Sequence, residues 1–417
     1  MAELDQTFVC PFCGLCCDDL SLAVTADGPR LEAGGCARAG ALFEVPARGQ
    51  ARVRGRPATL EEACRAAARL LASARRPLIG GLACDVSGHR AAIALAERVG
   101  GVLEHMNGRA QFRNTLAFQD GGWMTTTLSE VRNRADLILL AATDVAAFPR
   151  FFERCVAPES QFGEPPPRVI ALTGPVSSGS VWTRGADLAI PCQPERLGEV
   201  FAALRGRLAG QRLDAVEVAG IPLAQLDVLL DSMRAARYGV LVWNAAEMEF
   251  PRAELAVQAM VDLVKDLNWE TRWAGLPLGG SDGAVSAAQV CTWQTGYPLR
   301  VAFAADGPEY APTEYAESTL LETAAVDALV WISAFDPERT PPAADCPTVV
   351  LGRADMRFVQ APDVFIPVAV PGVQHAGFLH RMDAVVALPL TAPAPSSLPS
   401  VAQVLAIIQR ETNHAAA

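Results

Sequence analysis

The chain has 417 residues, of which 51% are hydrophobic, so it can bury a core large enough for roughly two to four domains. Acidic residues outnumber basic ones by 46 to 35, and the resulting formal charge of −11 excludes a broad basic surface for nucleic acid. The longest apolar runs, such as residues 137–142, are far shorter than the roughly 18 residues of a membrane span, and MAELDQTF has no basic signal region. We expect a cytoplasmic protein that binds neither nucleic acid nor membrane.

The N-terminal stretch CPFCGLCC (residues 10–17) contains four cysteines, and another follows at Cys36. We predict that residues 1–55 form a small Cys-rich, metal-binding β subdomain, because LSLAV alternates as a strand does and Asp27-Gly28 marks a hairpin turn that would fold Cys36 back. The predicted metal ligands are Cys10, Cys13, Cys17 and Cys36, with Cys16 left out. Four thiolates suit Zn²⁺ or a [4Fe–4S] cluster, which spacing alone does not separate, and an empty, reduced tetrad is the third alternative.

The other six cysteines each stand alone in an apolar stretch, where a small buried hydrophobe is the simplest interpretation. The odd total of eleven, scattered through a long chain, also argues against a disulfide framework. We therefore predict that the thiols are reduced.

From residue 56 onward, helical patterns alternate with short apolar runs, which is the rhythm of a parallel sheet. Thr59 and Glu62 form a capping-box signature that begins a helix over 59–74. The elements predicted after it, in chain order, are a strand at 76–83, a helix near 88–99, strands at 135–142 and 167–174, and a helix at 194–209. Residues 56–215 are accordingly predicted to form a first α/β lobe.

A second α/β lobe with return strands is predicted over residues 216–392, followed by a linker and C-terminal helix over 393–417. Its predicted elements are helices at 223–236, 252–268 and 313–325, and strands at 238–244, 299–304, 327–334, 347–352 and 363–370. The predicted fold class is α/β, with doubly wound lobes and mostly parallel sheets beside the small N-terminal subdomain.

Three stretches of the chain resemble a known family: CPFCGLCCDDL with the later GGCARAGALF, EHMNGRAQFRNTLAFQDGGWMTTTLSEVRNRADLILL, and QVCTWQTGYPLRVAF. They resemble the B subunit of formylmethanofuran dehydrogenase, in the molybdopterin oxidoreductase superfamily. The resemblance extends over nearly the whole chain and implies a formate dehydrogenase-like fold. It also implies a [4Fe–4S] cluster on the four N-terminal cysteines and a tungsto- or molybdopterin whose metal is bound by a Cys within a Cys-His-Gly-Pro stretch.

That metal-binding cysteine is missing here. The corresponding segment reads MNGRAQFRNTLAFQ, where Ala110 and Gln111 replace the Cys and its His partner, and no cysteine occurs between Cys84 and Cys155. A methyl group cannot ligate tungsten, and Gln cannot relay a proton near neutral pH as His can. We therefore expect a degenerate redox site near Ala110 and Gln111, without tungsten, molybdenum or pterin.

A dehydrogenase-like subunit without its metal ligand resembles the B subunit of the bacterial formyltransferase/hydrolase complex. The resemblance implies a non-catalytic, structural subunit of a complex that converts formyl-tetrahydromethanopterin to formate through a methanofuran-like carrier. Its implied partners are amidohydrolase-type and formyltransferase-type subunits. Two alternatives stay open: an active tungsten- or molybdopterin-dependent dehydrogenase with another metal ligand, and an electron-transfer or metal-sensing protein built on a [4Fe–4S] cluster.

Direct hydrolysis by this chain is disfavoured by its histidines. A metal-assisted amidase needs converging His and carboxylate ligands, but none of the five histidines forms an HxH or HExxH motif. They are His89, His105, His375, His380 and His414. We interpret them as solvated or structural. Arg109, Arg113 and Asn114 could hold an anionic carrier, but intrachain pairing is the favoured interpretation.

Overall fold

The computed structural model describes residues 7–25, 28–173 and 186–415. Its fold is mixed α/β with parallel sheets, as predicted. The strands in the described residues are β1 (Ser21–Thr25), β2 (Gly28–Ala33), β3 (Arg52–Val53), β4 (Arg56–Pro57), β5 (Pro77–Ala83), β6 (Val102–Leu103), β7 (Leu137–Ala141), β8 (Arg168–Thr173), β9 (Leu188–Pro191), β10 (Glu217–Val218), β11 (Ile221–Pro222), β12 (Gly239–Asn244), β13 (Trp273–Leu278), β14 (Val301–Ala304), β15 (Gly307–Tyr310), β16 (Ala328–Ser333), β17 (Thr348–Gly352), β18 (Val364–Pro367), β19 (Gly377–His380) and β20 (Ala387–Leu390).

The helices predicted at 59–74, 88–99, 194–209, 223–236 and 252–268 start and end within a few residues of those positions, whereas the helix predicted at 313–325 is shorter. The helices in the described residues are α1 (Ala37–Phe43), α2 (Leu60–Ser73), α3 (Val86–Val99), α4 (Gly108–Gly121), α5 (Leu128–Arg134), α6 (Phe151–Cys155), α7 (Leu197–Leu208), α8 (Leu223–Ala235), α9 (Ala253–Leu267), α10 (Ala284–Thr295), α11 (Glu317–Glu322) and α12 (Val401–Ala415). The capping box of α2 is present, since Glu62 N–H donates to Thr59 Oγ1 and Thr59 N–H donates back to the Glu62 carboxylate. Among the described residues, no helix is long and apolar enough to cross a membrane.

The chain divides into two compact units, a first unit of residues 1–108 and 280–417 and a second unit of residues 109–279. These units differ from the expected lobes 56–215 and 216–392, because strands distant in sequence pair with each other. In the second unit, β7 of the expected first lobe pairs in parallel with β12 of the expected second lobe. In the first unit, β5 and β16 pair in parallel in the same way. The alternation of helical and apolar patterns along the sequence predicts the helices and strands but not which strands pair.

The first unit contains a nine-stranded sheet in the order β15-β14-β6-β5-β16-β17-β18-β3-β4. Its central strands β6, β5, β16, β17 and β18 are parallel, and the flanking strands are antiparallel. Every residue of β5 and of β16 is buried, as expected for parallel strands covered on both faces. Helix α12 packs against α2 and α3, so the C-terminal helix belongs to the covering layer of this unit.

The second unit contains a five-stranded parallel sheet in the order β13-β12-β7-β8-β9. Helices α7, α8 and α9 pack together beside it, and α9 also contacts β13. The largest side chains of its core are Trp243 and Trp273, both almost fully enclosed. Their size is accommodated by glycines on neighbouring strands: a Cβ at Gly239 would lie 2.1 Å from the Trp273 ring, and one at Gly275 would lie 2.9 Å from Trp243.

The N-terminal segment contains the expected hairpin, in which β1 pairs antiparallel with β2. Phe8 and Leu20 form a further antiparallel bridge, which closes the cysteine stretch into a loop. Asp27 of the predicted turn lies outside the described residues. After β2 the chain reaches Cys36, which immediately precedes α1.

Candidate functional site

The cysteine stretch folds into a tight, buried loop. Cys10, Cys13, Cys16 and Cys17 are each no more than 7% exposed. The loop is closed by main-chain hydrogen bonds from Cys10 N–H to Cys17 O (2.8 Å) and from Cys16 N–H to Cys13 O (3.1 Å). Cys16 adopts a left-handed backbone conformation at φ +44°, which turns the chain sharply.

The thiols of this loop affect one another electrostatically. Burial raises the pKa of Cys10 well above its ordinary value, and the neighbouring Cys13, Cys17 and Cys16 raise it further. Burial also raises the pKa of Cys13, with Cys36 adding to the effect. Cys36 thus affects Cys13 electrostatically, and the convergence of the four predicted ligands stays a prediction. Burial therefore favours the neutral form of the Cys10 and Cys13 thiols.

The donor chemistry of the loop suits a thiophilic metal, but its side chains are not arranged as a finished site. Among the described residues, no group of three or more His, Cys, Asp or Glu side chains is placed to hold a metal ion. Binding would therefore need the thiols to reorient as well as to lose protons. Ligation by Cys10, Cys13, Cys17 and Cys36 stays a prediction.

Protein contacts hold this segment in place within the first unit. Met382 N–H donates to Gly14 O at 2.8 Å, and Phe12 packs edge-on against Phe43 with ring centroids 5.0 Å apart. Arg353 is only 2% exposed and donates to Leu42 O at 3.0 Å. The same guanidinium also donates to the main-chain carbonyls of Glu44 (2.8 Å) and Phe335 (3.3 Å). These contacts require no metal, and sequence reasoning missed Arg353.

Helix α4 contains the positions that correspond to the family's metal-binding pair. Ala110 is half-buried and packs against the hydrophobic core of the second unit. Gln111 Oε1 is enclosed and has no hydrogen-bond partner in the described part of the chain. Neither side chain can bind a tungsten or molybdenum ion by a thiolate or transfer a proton near neutral pH.

Arg113 and Asn114, one turn further along α4, make contacts inside the second unit. Arg113 Nη1 donates to Ala245 O, and burial together with Arg109 lowers the pKa of the Arg113 guanidinium. Asn114 Oδ1 accepts a 2.8 Å hydrogen bond from Trp243 Nε1. The prediction of intrachain pairing is confirmed for these two residues, whereas Arg109 is exposed.

Two of the histidines are buried as neutral hydrogen-bonding groups. His105 Nδ1 accepts from Asn107 N–H at 3.0 Å, which leaves Nε2 to donate to Asp282 O at 3.1 Å, and burial lowers its pKa to about 4. His89 Nε2 donates to Leu82 O at 2.8 Å, and burial lowers its pKa to about 4. Both contacts fit structural roles.

The remaining histidines show no catalytic arrangement within the described residues. His380 is buried beside Ser286 and packs edge-on against Trp293. His375 is half-buried and its Nδ1 lies 2.8 Å from Ala376 O. The side chain of His414 lies outside the described residues.

Sequence reasoning also missed a buried ion pair between Glu104 and Arg300 in the first unit. Glu104 immediately follows β6, so its position at the carboxyl end of a parallel strand was the only available signal. Its partner lies 196 residues later in the chain, which no local pattern could indicate.

Comparison with known proteins shows which proteins the chain resembles. No family model matches the chain. It is 29% identical over 405 residues to the B subunit of the tungsten-containing formylmethanofuran dehydrogenase 2 of Methanocaldococcus jannaschii, covering 92% of this chain and 93% of that protein. The counterpart in Methanococcus maripaludis is 26% identical over 432 residues, covering 99% of both chains. The chain is thus similar to the formylmethanofuran dehydrogenase B subunits, as the sequence motifs predict.

A second set of similarities points to a hydrolytic complex. The chain is 28% identical over 338 residues to the B subunit of the formyltransferase/hydrolase complex of Methylorubrum extorquens, covering 78% of this chain and 87% of that protein. A chain in the crystal structure of that complex with methylofuran matches the fold with a TM-score of 0.75 and 26% identity, covering 87% of this chain and 99% of that one. The resemblance to both kinds of B subunit is therefore confirmed.

Proposed function

We propose that the chain is a non-catalytic, structural subunit of a formyltransferase/hydrolase complex with a degenerate redox site. Such a complex converts formyl-tetrahydromethanopterin to formate by way of a methanofuran-like carrier, without transferring electrons. Amidohydrolase-type and formyltransferase-type subunits are its partners in this proposal. The similarity to the B subunit of the Methylorubrum extorquens complex supports this assignment.

The observation that supports the proposal most strongly is the chemistry of α4. A tungsten- or molybdenum-dependent relative needs a thiolate and a proton-transferring group at positions where this chain has Ala110 and Gln111. The nearest cysteines in sequence are Cys84 and Cys155, and both are buried. Burial also raises the pKa of Cys84 well above its ordinary value, which disfavours the thiolate that a metal would need.

We further propose that the fold is doubly wound in both units and that the complex is cytoplasmic. In the second unit the sheet runs β7-β8-β9 in one direction and β12-β13 in the other, which supports a doubly wound arrangement. All eleven cysteines are free thiols, as in proteins of reducing compartments.

For the N-terminal cysteines we retain the proposal of a structural metal site that uses Cys10, Cys13, Cys17 and Cys36. Zinc, a [4Fe–4S] cluster and an empty tetrad are its three alternatives. Replacing Cys36 with Ser should lower the bound zinc or iron per chain if the tetrad holds a metal, whereas an empty tetrad predicts no zinc or iron in either protein. Cys346→Ser is the matched control, since Cys346 is also half-buried but is not one of the four predicted ligands.

The alternative function is an active tungsten- or molybdopterin-dependent dehydrogenase, which two of the relatives by name support. Assays of the purified complex separate the two functions. The structural proposal predicts formate release from formyl-tetrahydromethanopterin without any electron acceptor, and no reduction of a viologen dye by formylated carrier. It also predicts that Gln111→Leu leaves formate release within about twofold of wild type. If the wild-type complex reduces the dye and the Gln111→Leu variant does not, the dehydrogenase function is established instead.

A further inference from the structure

Five charged side chains that the proposed function does not use interact near the carboxyl end of β6 in the first unit, four through ion pairs and hydrogen bonds and Glu317 through its electrostatic effect. Each is buried or half-buried. They come from the loop after β6, the turn before α10, the residue before β14, the start of α11 and the loop after β16. We call them the acid–arginine cluster: Glu104, Asp282, Arg300, Glu317 and Arg339.

Glu104 has the hydrogen bonds of an ionised carboxylate. Its Oε1 accepts from His105 N–H at 2.9 Å, and its Oε2 accepts from Arg300 Nε. Gly108 closes the space around it, since a Cβ there would lie 1.6 Å from Oε1. With a donor on each oxygen and only 1% exposure, Glu104 has no acceptor toward which a carboxyl proton could point.

The second ion pair of the cluster, Asp282 with Arg339, also has one negative and one positive charge. Arg339 lies 3.6 Å from Asp282 Oδ2, and the same oxygen accepts from Asn107 Nδ2 at 3.0 Å. His105 contributes no charge, because one ring nitrogen accepts a hydrogen bond and the other donates one. Two carboxylates therefore compensate two guanidinium groups before Glu317 is considered.

Glu317 is the fifth charged group and has no counterion left to it in this cluster. Its Oε2 is enclosed without a hydrogen-bond partner among the described residues. Burial and then the charge of Glu104 raise the pKa of Glu317 to about 7, against the opposing effect of Arg339 and Arg300. Burial raises the pKa of Glu104 to about 7 as well, so near neutral pH the two carboxyls share one proton. The hydrogen bonds of Glu104 assign that proton to Glu317.

The backbone next to the cluster is strained, which indicates that the arrangement is held tightly. Leu299 and Arg300 are consecutive non-glycine residues with positive φ, at +81° and +49°. This conformation places the Arg300 guanidinium against Glu104 and lets its Nη1 donate to Pro312 O. The loop that leads into α11 is thereby tied to the same arginine as Glu104.

We propose that half-buried Glu317, whose Oε2 is enclosed, is a neutral carboxylic acid and that its ionisation loosens α11 and residues 311–316 from the first unit. In the loosened segment the ionised Glu317 carboxylate would be in water, which solvates its negative charge. The acid–arginine cluster is then a pH-sensitive contact, independent of the proposed function of the complex. The groups that face Glu317 and set its response are Glu104, Arg300 and Arg339, which come from three other segments.

Hydrogen exchange of the full chain at a series of pH values tests this proposal. Glu317 ionises near pH 4.5 when released and near pH 7 when enclosed, so the opening equilibrium should rise about tenfold per pH unit between them. After correction for intrinsic rates, amides of 311–322 should exchange about 40-fold faster at pH 7 than at pH 5, and only about twofold faster again at pH 8. Glu317→Gln should reduce this change to threefold or less.

Glu322→Gln is the matched control, because Glu322 is an exposed residue of the same helix. It should retain the wild-type pH response. At pH 6, an infrared carbonyl band of a protonated carboxylic acid should be present in wild type and Glu322→Gln and absent in Glu317→Gln. This measurement reports the protonation of Glu317 directly and does not depend on how the segment moves. An equal pH response in all three proteins, or no such band in wild type, would overturn the proposal.

Discussion

Replacing Arg353 with Met tests how the N-terminal cysteine segment is attached to the first unit. Arg353 is enclosed and donates to the carbonyls of Leu42, Glu44 and Phe335, and it pairs with Asp355 at 2.8 Å. Methionine keeps most of the apolar length of the side chain but has no donor. The substitution would leave three carbonyl groups without their arginine partner, one of them buried and two part-buried.

The expected loss is about 3–5 kcal/mol, because each unsatisfied buried acceptor costs roughly 1–3 kcal/mol and some of these groups can regain water. The Asp355 ion pair adds little, since that carboxylate is 34% exposed and half-screened by solvent. For a unit of this size, each kcal/mol corresponds to roughly 2–4 °C in Tm, so Tm should fall by about 10 °C.

Thermal unfolding and hydrogen exchange of residues 37–44 would measure the effect, with Arg357→Met as the control at an exposed position four residues away. Both variants should be measured after treatment with a metal chelator, because the contacts of Arg353 do not involve the cysteines. A loss below about 1 kcal/mol, or unchanged exchange over residues 37–44, would refute the idea that Arg353 anchors the segment.

Three further predictions concern both units. Asn114→Ala should cost about 1–3 kcal/mol in urea unfolding, because it leaves the enclosed Trp243 indole N–H without its acceptor, and a loss of a few tenths would contradict this. Gly239→Ala should cost at least about 1–3 kcal/mol by the same assay, since its Cβ would lie 2.1 Å from the buried Trp273 ring, and a neutral result would show that the site relaxes easily. Burial lowers the pKa of His105 to about 4, so the unfolded chain takes up the proton before the folded chain does and the free energy of unfolding falls as the pH drops from 6.5 toward 4. The urea midpoint should fall less over this pH range in His105→Gln than in the wild type. An equal fall of the midpoint in both proteins would exclude His105 as the cause.

The elements that the sequence predicts well are those with local signals. The capping box of Thr59 and Glu62 is present, and the all-apolar run at 76–83 becomes the buried strand β5. The helix predicted over 313–325 is shorter, because only Glu317–Glu322 is helical. The residues before it form hydrogen bonds with Arg300 instead, through Ala311 N–H and Pro312 O. Periodicity identifies a helix more reliably than it locates the ends.

The features that the sequence could not predict depend on distant residues. The pairing of β7 with β12 joins segments about a hundred residues apart, and it moves the unit boundaries to 108/109 and 279/280. The same limit applies to Arg353 and to the acid–arginine cluster, whose members are distributed from residue 104 to residue 339. For α4, the absence of a cysteine from residues 85–154 is visible in the sequence itself, and the degenerate site that it indicates stays a prediction.

The central claim is that this chain has no working tungsten or molybdenum site. Its most direct test is elemental analysis of the purified complex by mass spectrometry, together with fluorescence detection of oxidised pterin from the denatured protein. We predict less than about a tenth of an equivalent of tungsten, molybdenum and pterin per copy of the chain. One equivalent of either metal with bound pterin would contradict the account and establish the dehydrogenase.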